Sequence, residues 1–174
     1  MQNNQKKGCY MEIKYFIRTI TFLFIATTIE IRSQNINIKL NQSELFKKFN
    51  GNWKCELGKD TILLVKIKSY GSGLDYNIKS KTKGNILMQG KALLGYDMKS
   101  DKGIKTEIMD PDLTVCAYWF ISKSVCKAID YQDINDPDKA KNYVQFEFQS
   151  PNLIIQTFIH NNKSTKILTF KREK

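Results

Sequence analysis

Side chains able to do chemistry are few in this chain, and they do not cluster. His160 is the sole histidine, and thiols stand at Cys9, Cys55, Cys116 and Cys126. A haem or zinc site built on His160 needs thiol or carboxylate partners at ligand spacing, and the sequence offers none. His160 ends a strand-like run beside Asn161-Asn162 and reads as an exposed hairpin residue. Cys55 shares the period-two face of Trp53, which makes it a candidate cavity nucleophile. No histidine base lies in the same strand region, so the plainer reading is a small buried hydrophobe. Asp110, Asp112, Asp133, Asp136 and Asp138 occupy loop segments. They lack the spaced ligand loop and closing glutamate of a calcium site and read as caps and turns. No catalytic residue, metal ligand or cofactor is assigned on these grounds.

What must position any site is a single domain behind a leader. The 174 residues carry a formal charge of +11, and the excess is lysine; the arginines are Arg18, Arg32 and Arg172. Base and phosphate readers lean on arginine forks, and no basic run is interleaved with aromatics, so nucleic acid is not an expected partner. A solvated lysine-rich surface, with attraction to anionic surfaces or small molecules, fits better. Lys6, Lys7, Lys14 and Arg18 precede an uncharged stretch from Thr19 to Ile29. That stretch is short for a span, which needs about 20 apolar residues, and right for a signal-peptide core. Residues 1–33 are therefore read as a signal peptide cleaved before Gln34, with an uncleaved anchor or a buried strand as alternatives and Met11 as an alternative start. Cys9 precedes the apolar core, so lipid anchoring through it is not expected. The expected product is secreted or periplasmic, with no integral membrane span after processing. Its oligomeric state cannot be read from the sequence.

Residues 34–174 form the folded domain in this reading. Asn41 and Glu44 make a capping-box pattern before Leu45, Phe46 and Phe49 at helical spacing, and Gly51 ends that short helix. From Trp53 onward the period is two. About ten strand-like runs follow, joined by short turns, as in an antiparallel meander. The one long interruption is QDINDPDKAKN, where Asp136 and Pro137 predict a single helical turn. A flat ten-strand sheet would leave two bare edges; closure into a barrel of 8–10 strands removes both. A two-sheet sandwich is the alternative. The fold class is thus all-β. Export permits a disulfide, and Cys116 with Cys126 on neighbouring strands is the preferred pair, against an equally reasonable set of three free thiols.

The order of short helix, Gly51-x-Trp53 on the first strand, antiparallel meander and Arg172 on the last strand resembles the lipocalin-like group of calycin barrels. The resemblance covers about residues 40–172 and is closest to small exported bacterial lipocalin-like domains of unassigned function. It implies a helix plugging one barrel end, an inward tryptophan, and the final-strand arginine lying across its ring. A Thr-Asp-Tyr loop and an Arg-x-Tyr pair are absent, and KCEL follows Gly51-x-Trp53 where haem-binding relatives carry glycines. The fold therefore carries over better than any one ligand.

Alternation on the clean strands predicts an interior lined by Trp53, Cys55, Tyr76, Ile78, Ile104, Thr106, Ile108, Phe146 and Phe148. In the run from Leu113 to Ile121 both faces are apolar, so one of them is expected to pack on something outside the barrel. The function expected is that of a carrier for a small apolar molecule or anionic amphiphile. The alternatives are a structural or protein-interaction module with a filled barrel and, less favoured, a cavity-thiol enzyme. An inward cluster of titratable groups would favour the enzyme.

Overall fold

A computed structural model describes residues 39–109 and 111–173. The expected leader, residues 1–33, lies outside the described residues. A one-turn helix α1 (Gln42–Phe46) continues as a 3-10 turn over Lys47–Phe49. Ten strands follow: β1 (Gly51–Gly58), β2 (Thr61–Tyr70), β3 (Gly73–Thr82), β4 (Asn85–Asp97) and β5 (Lys102–Met109). The second half adds β6 (Asp112–Phe120), β7 (Val125–Asp130), β8 (Tyr143–Ser150), β9 (Leu153–His160) and β10 (Lys163–Arg172). Each strand pairs antiparallel with its sequence neighbours, and β10 pairs with β1, so the sheet is a closed all-β barrel and not a sandwich. Tight turns make the meander possible. Asn161 and Asn162 both take positive φ, 50° and 60°, the backbone that suits the right-handed twist of a two-residue hairpin.

One barrel end is plugged. Asn41 caps α1 by accepting from the Glu44 N–H at 3.2 Å. Gln42, buried, then clamps the helix to the end of β6: its Nε2 donates to the Phe120 carbonyl at 2.9 Å and its Oε1 accepts from the Phe120 N–H at 2.7 Å. The helix delivers Phe46 and Phe49 into the barrel. Phe49 meets Phe146 and Phe148 edge-on, with centroids at 5.4 and 4.9 Å, and Phe46 meets Phe120 at 5.7 Å. Edge-to-face packing of this kind adds to the gain from burial alone. Gly103 on β5 makes room for the plug, since a Cβ there would stand 2.7 Å from the Phe46 ring.

Two expectations are corrected. The helical turn in the long connection falls at Tyr131–Asp133, where the Asp130 carboxylate accepts from the Gln132 N–H, while residues around Pro137 form plain turns. Asp130 captures the cap because it directly ends β7. Nor is Cys116 bonded to Cys126; both are free, as is Cys55. Cys126 lies opposite Phe120, and Cys116 lies opposite Asp130. That offset of four residues along β6 corresponds to roughly 13 Å at strand rise, beyond the reach of a disulfide.

The outer face of β5–β7 has an apolar patch of its own. Ile104, Ala117 and Ile129 are successive partners across the three strands. Ala117 and Ile129 are buried there, and the 3-10 turn at Tyr131–Asp133 packs against β6.

Candidate functional site

The barrel closes at a three-pair seam: Trp53 opposite Arg172, Lys54 opposite Lys171 and Cys55 opposite Phe170. The Arg172 guanidinium lies 4.3 Å from the Trp53 ring centroid. Its Nη1 donates to the Asn50 carbonyl at 2.6 Å and its Nε to the Pro151 carbonyl at 2.8 Å. The indole Nε1 donates to the Phe49 carbonyl at 2.7 Å. Guanidinium over indole combines a cation–π contact with satisfied donors. Gly51 permits this arrangement: its φ is +135°, and a Cβ would sit 2.0 Å from Arg172 Nη1.

Above the plug the barrel is hollow, with a cavity of about 320 Å³. Its lining is largely apolar, with aromatic side chains including Phe49, Trp53, Tyr118 and Phe146 and aliphatic ones including Ile78, Ile154 and Leu168. Met88, 39% exposed, stands where the cavity meets solvent, away from the plugged end. The volume lies at the small end of the range for ligand sites.

Of the residues expected inside, Trp53, Tyr76, Ile78 and Phe146 border the cavity. Cys55 and Phe148 are buried in the surrounding core without bordering it. Ile104, Thr106 and Ile108 face outward instead, and Ile108 is 61% exposed. The register gives the reason. Lys105 pairs with Cys116 and Gly103 with Tyr118, and cross-strand partners share a face. Cys116 and Tyr118 border the cavity, so Lys105 and Glu107 do too. The outward Ile104 joins the apolar patch with Ala117 and Ile129.

Simple alternation therefore missed an interior polar row. Tyr76, Ala92 and Glu107 are successive partners across β3, β4 and β5, and the small Ala92 leaves space between the two larger side chains. Lys105 and Glu107 form an ion pair, with side chains only 13% and 17% exposed. The Lys105 ammonium stands 5.3 Å from the Tyr76 ring centroid and 5.5 Å from that of Tyr118. Gln156 faces the same space from β9. The Tyr76 hydroxyl is buried and has no hydrogen-bond partner among the described residues. The short β5–β6 turn was the available signal: once Met109 faces Asp112, an inward Tyr118 carries Lys105 inward with it.

The electrostatics keep these groups in their resting protonation states. Burial by itself pushes the Lys105 ammonium toward neutrality, but Tyr118 and Glu107 beside it reverse that, and its pKa lies above the ordinary lysine value. Burial raises the Cys116 thiol despite the nearby Lys105 charge. Burial also raises both Tyr76 and Tyr118. At neutral pH the row holds a lysine cation, a neutral thiol and neutral phenols. A Schiff-base lysine or a thiolate nucleophile requires the opposite shifts.

Elsewhere, His160 is exposed at the end of β9. Among the described residues no group of three histidine, cysteine or carboxylate side chains could hold a metal ion, and no helix is long and apolar enough to cross a membrane. No protein-family model matches the chain, and no curated protein matches it either.

Proposed function

We propose that this protein is a binding or carrier protein for one small amphipathic molecule, held inside a lipocalin-like barrel. The observation that carries the reading is the cavity of about 320 Å³ with apolar walls and a polar row on one side. A filled interaction module has no use for such a space. Packing aromatic and aliphatic walls around a void forgoes dispersion contacts that a solid core would make. The inward titratable cluster would favour catalysis had its groups been tuned toward reaction, but the lysine and thiol are both shifted away from nucleophilic forms. The plugging helix and the Trp53–Arg172 stack support the likeness to lipocalin-like barrels.

Export belongs to the same proposal and rests on the sequence alone. N-terminal sequencing of the protein from its own source should begin near Gln34; an intact Met1 or Met11 in the soluble fraction would overturn it. The binding test is native mass spectrometry of that preparation. A bound mass that is lost on denaturation is the expected result. Ile78→Trp, which fills the cavity from β3, should abolish it. No bound mass, together with no uptake of a fluorescent fatty-acid analogue or a neutral apolar dye, would return the barrel to the interaction-module reading.

A further inference from the structure

We infer that the polar row selects an uncharged head group, an alcohol or a carboxamide, over the carboxylate that a basic protein would be expected to take. The inference rests on the reading of the barrel as a ligand-binding protein and concerns the chemistry of the interior cavity.

The overall charge of +11 suggests an anionic ligand, yet that charge does not extend to the interior. The two ions facing the cavity are Lys105 and Glu107, and they neutralise one another. The ammonium is further engaged between the Tyr76 and Tyr118 rings. A carboxylate brought to this lysine would put a second anion beside Glu107 in a space walled by hydrocarbon. Two carboxylates sharing one buried cation leave a net charge that the cavity cannot solvate. A primary ammonium fails for the mirror reason, since it would share Glu107 with Lys105.

A hydroxyl or amide meets neither objection, and the cavity has uses for both of its functions. Glu107 is an acceptor and the Gln156 amide is donor and acceptor, and both border the cavity. A head group carrying one donor and one acceptor can satisfy members of this set without breaking the ion pair. Its apolar remainder then lies against Ile78, Ile154 and Leu168. The row is thus a discriminator: affinity for a bare hydrocarbon would need no polar group inside at all, and burying such groups is costly unless they have a use.

The test is a competition series with four ten-carbon probes, decanol, decanamide, decanoate and decylamine. Each displaces the neutral dye N-phenyl-1-naphthylamine from the purified protein at pH 7.5, below the probe's aggregation threshold. Decanol and decanamide should bind at least about 10-fold more tightly than decanoate and decylamine, the size expected when a buried group is left unpaired. Glu107→Gln should turn the preference toward decanoate, and Lys105→Met toward decylamine. Decanoate binding to the unmodified protein as tightly as decanol would overturn the inference while leaving the carrier reading intact. If neither the dye nor any probe binds, the carrier reading itself fails and this inference with it. The comparison in the unmodified protein decides the matter even where a variant does not fold.

Discussion

Lys105 and Glu107 are two residues apart on one strand, so they project to the same side, and their ion pair forms inside the barrel. A pair so placed is held by its partner more than by water. Removing one member should therefore cost more than removing both. Glu107→Ala leaves a buried ammonium and should destabilise the protein by about 3–5 kcal/mol, whereas the double change Lys105→Met with Glu107→Leu should be near neutral or stabilising. Urea denaturation of the three proteins checks this. A double variant as unstable as Glu107→Ala would show that the pair is not energetically coupled.

The seam stack gives a second cycle. Trp53→Ala should cost about 3–5 kcal/mol as a buried large aromatic. Arg172→Ala should cost less, with a coupling of about 1–2 kcal/mol between them. Arg172→Lys should not restore the loss, because an ammonium cannot reach the Asn50 and Pro151 carbonyls as a planar fork does. Gly51→Ala should cost about 1–3 kcal/mol through backbone strain at its positive φ. Strictly additive losses at Trp53 and Arg172 would mean that the rings and guanidinium contribute separately.

Stability should hold through neutral pH and fall at alkaline pH. Tyr76 and Tyr118 have folded-state pKa values above the ordinary 10.0, so the folded state keeps their protons where the unfolded chain has released them. Lys105 is raised as well, which has the same sign. The contribution is complete below pH 10 and is lost as pH climbs through the raised values. Absorbance at 295 nm should show two tyrosines ionising only with unfolding, and that late amplitude should shrink in Tyr76→Phe and Tyr118→Phe. Complete titration of all tyrosines near pH 10 in a folded protein would contradict the burial of the row.

The thiols should remain reduced and differ in reactivity. Cys55 and Cys126 are buried and Cys116 is half-buried at the cavity, and burial raises all three. Under native conditions a thiol reagent should label Cys116 slowly and the other two only after denaturation. Peptide mapping of the non-reduced protein should find no Cys116–Cys126 bridge.

Much of this architecture is written locally. The period-two runs, the Asn161-Asn162 turn and the Asn41 cap each act within a few residues, and ten strands with their order follow from them. The placement of Trp53 opposite Arg172 is legible for a different reason: in a meander barrel the last strand has only the first to close against. The interior of β5 was not legible by alternation, because that rule assumes that charges face water. Here Lys105 and Glu107 neutralise each other, and Ile104 finds cover outside with Ala117 and Ile129. The disulfide expectation failed on register, which a strand's composition does not specify when both of its faces are apolar, as on β6.

The seam between β1 and β10 also dictates when this protein can become itself. Every other strand pair forms between immediate neighbours in the chain, at little loop-closure cost, but the Arg172 bond to the Asn50 carbonyl spans 122 residues. A chain emerging N-terminus first can build hairpin after hairpin and still present two bare edges until its final strand appears. Assembly thus has one late, non-local step, and its timing depends on β10. A nascent or truncated chain that stops short of Arg172 remains a twisted open ribbon, whose free β1 edge is available to the next ribbon it meets.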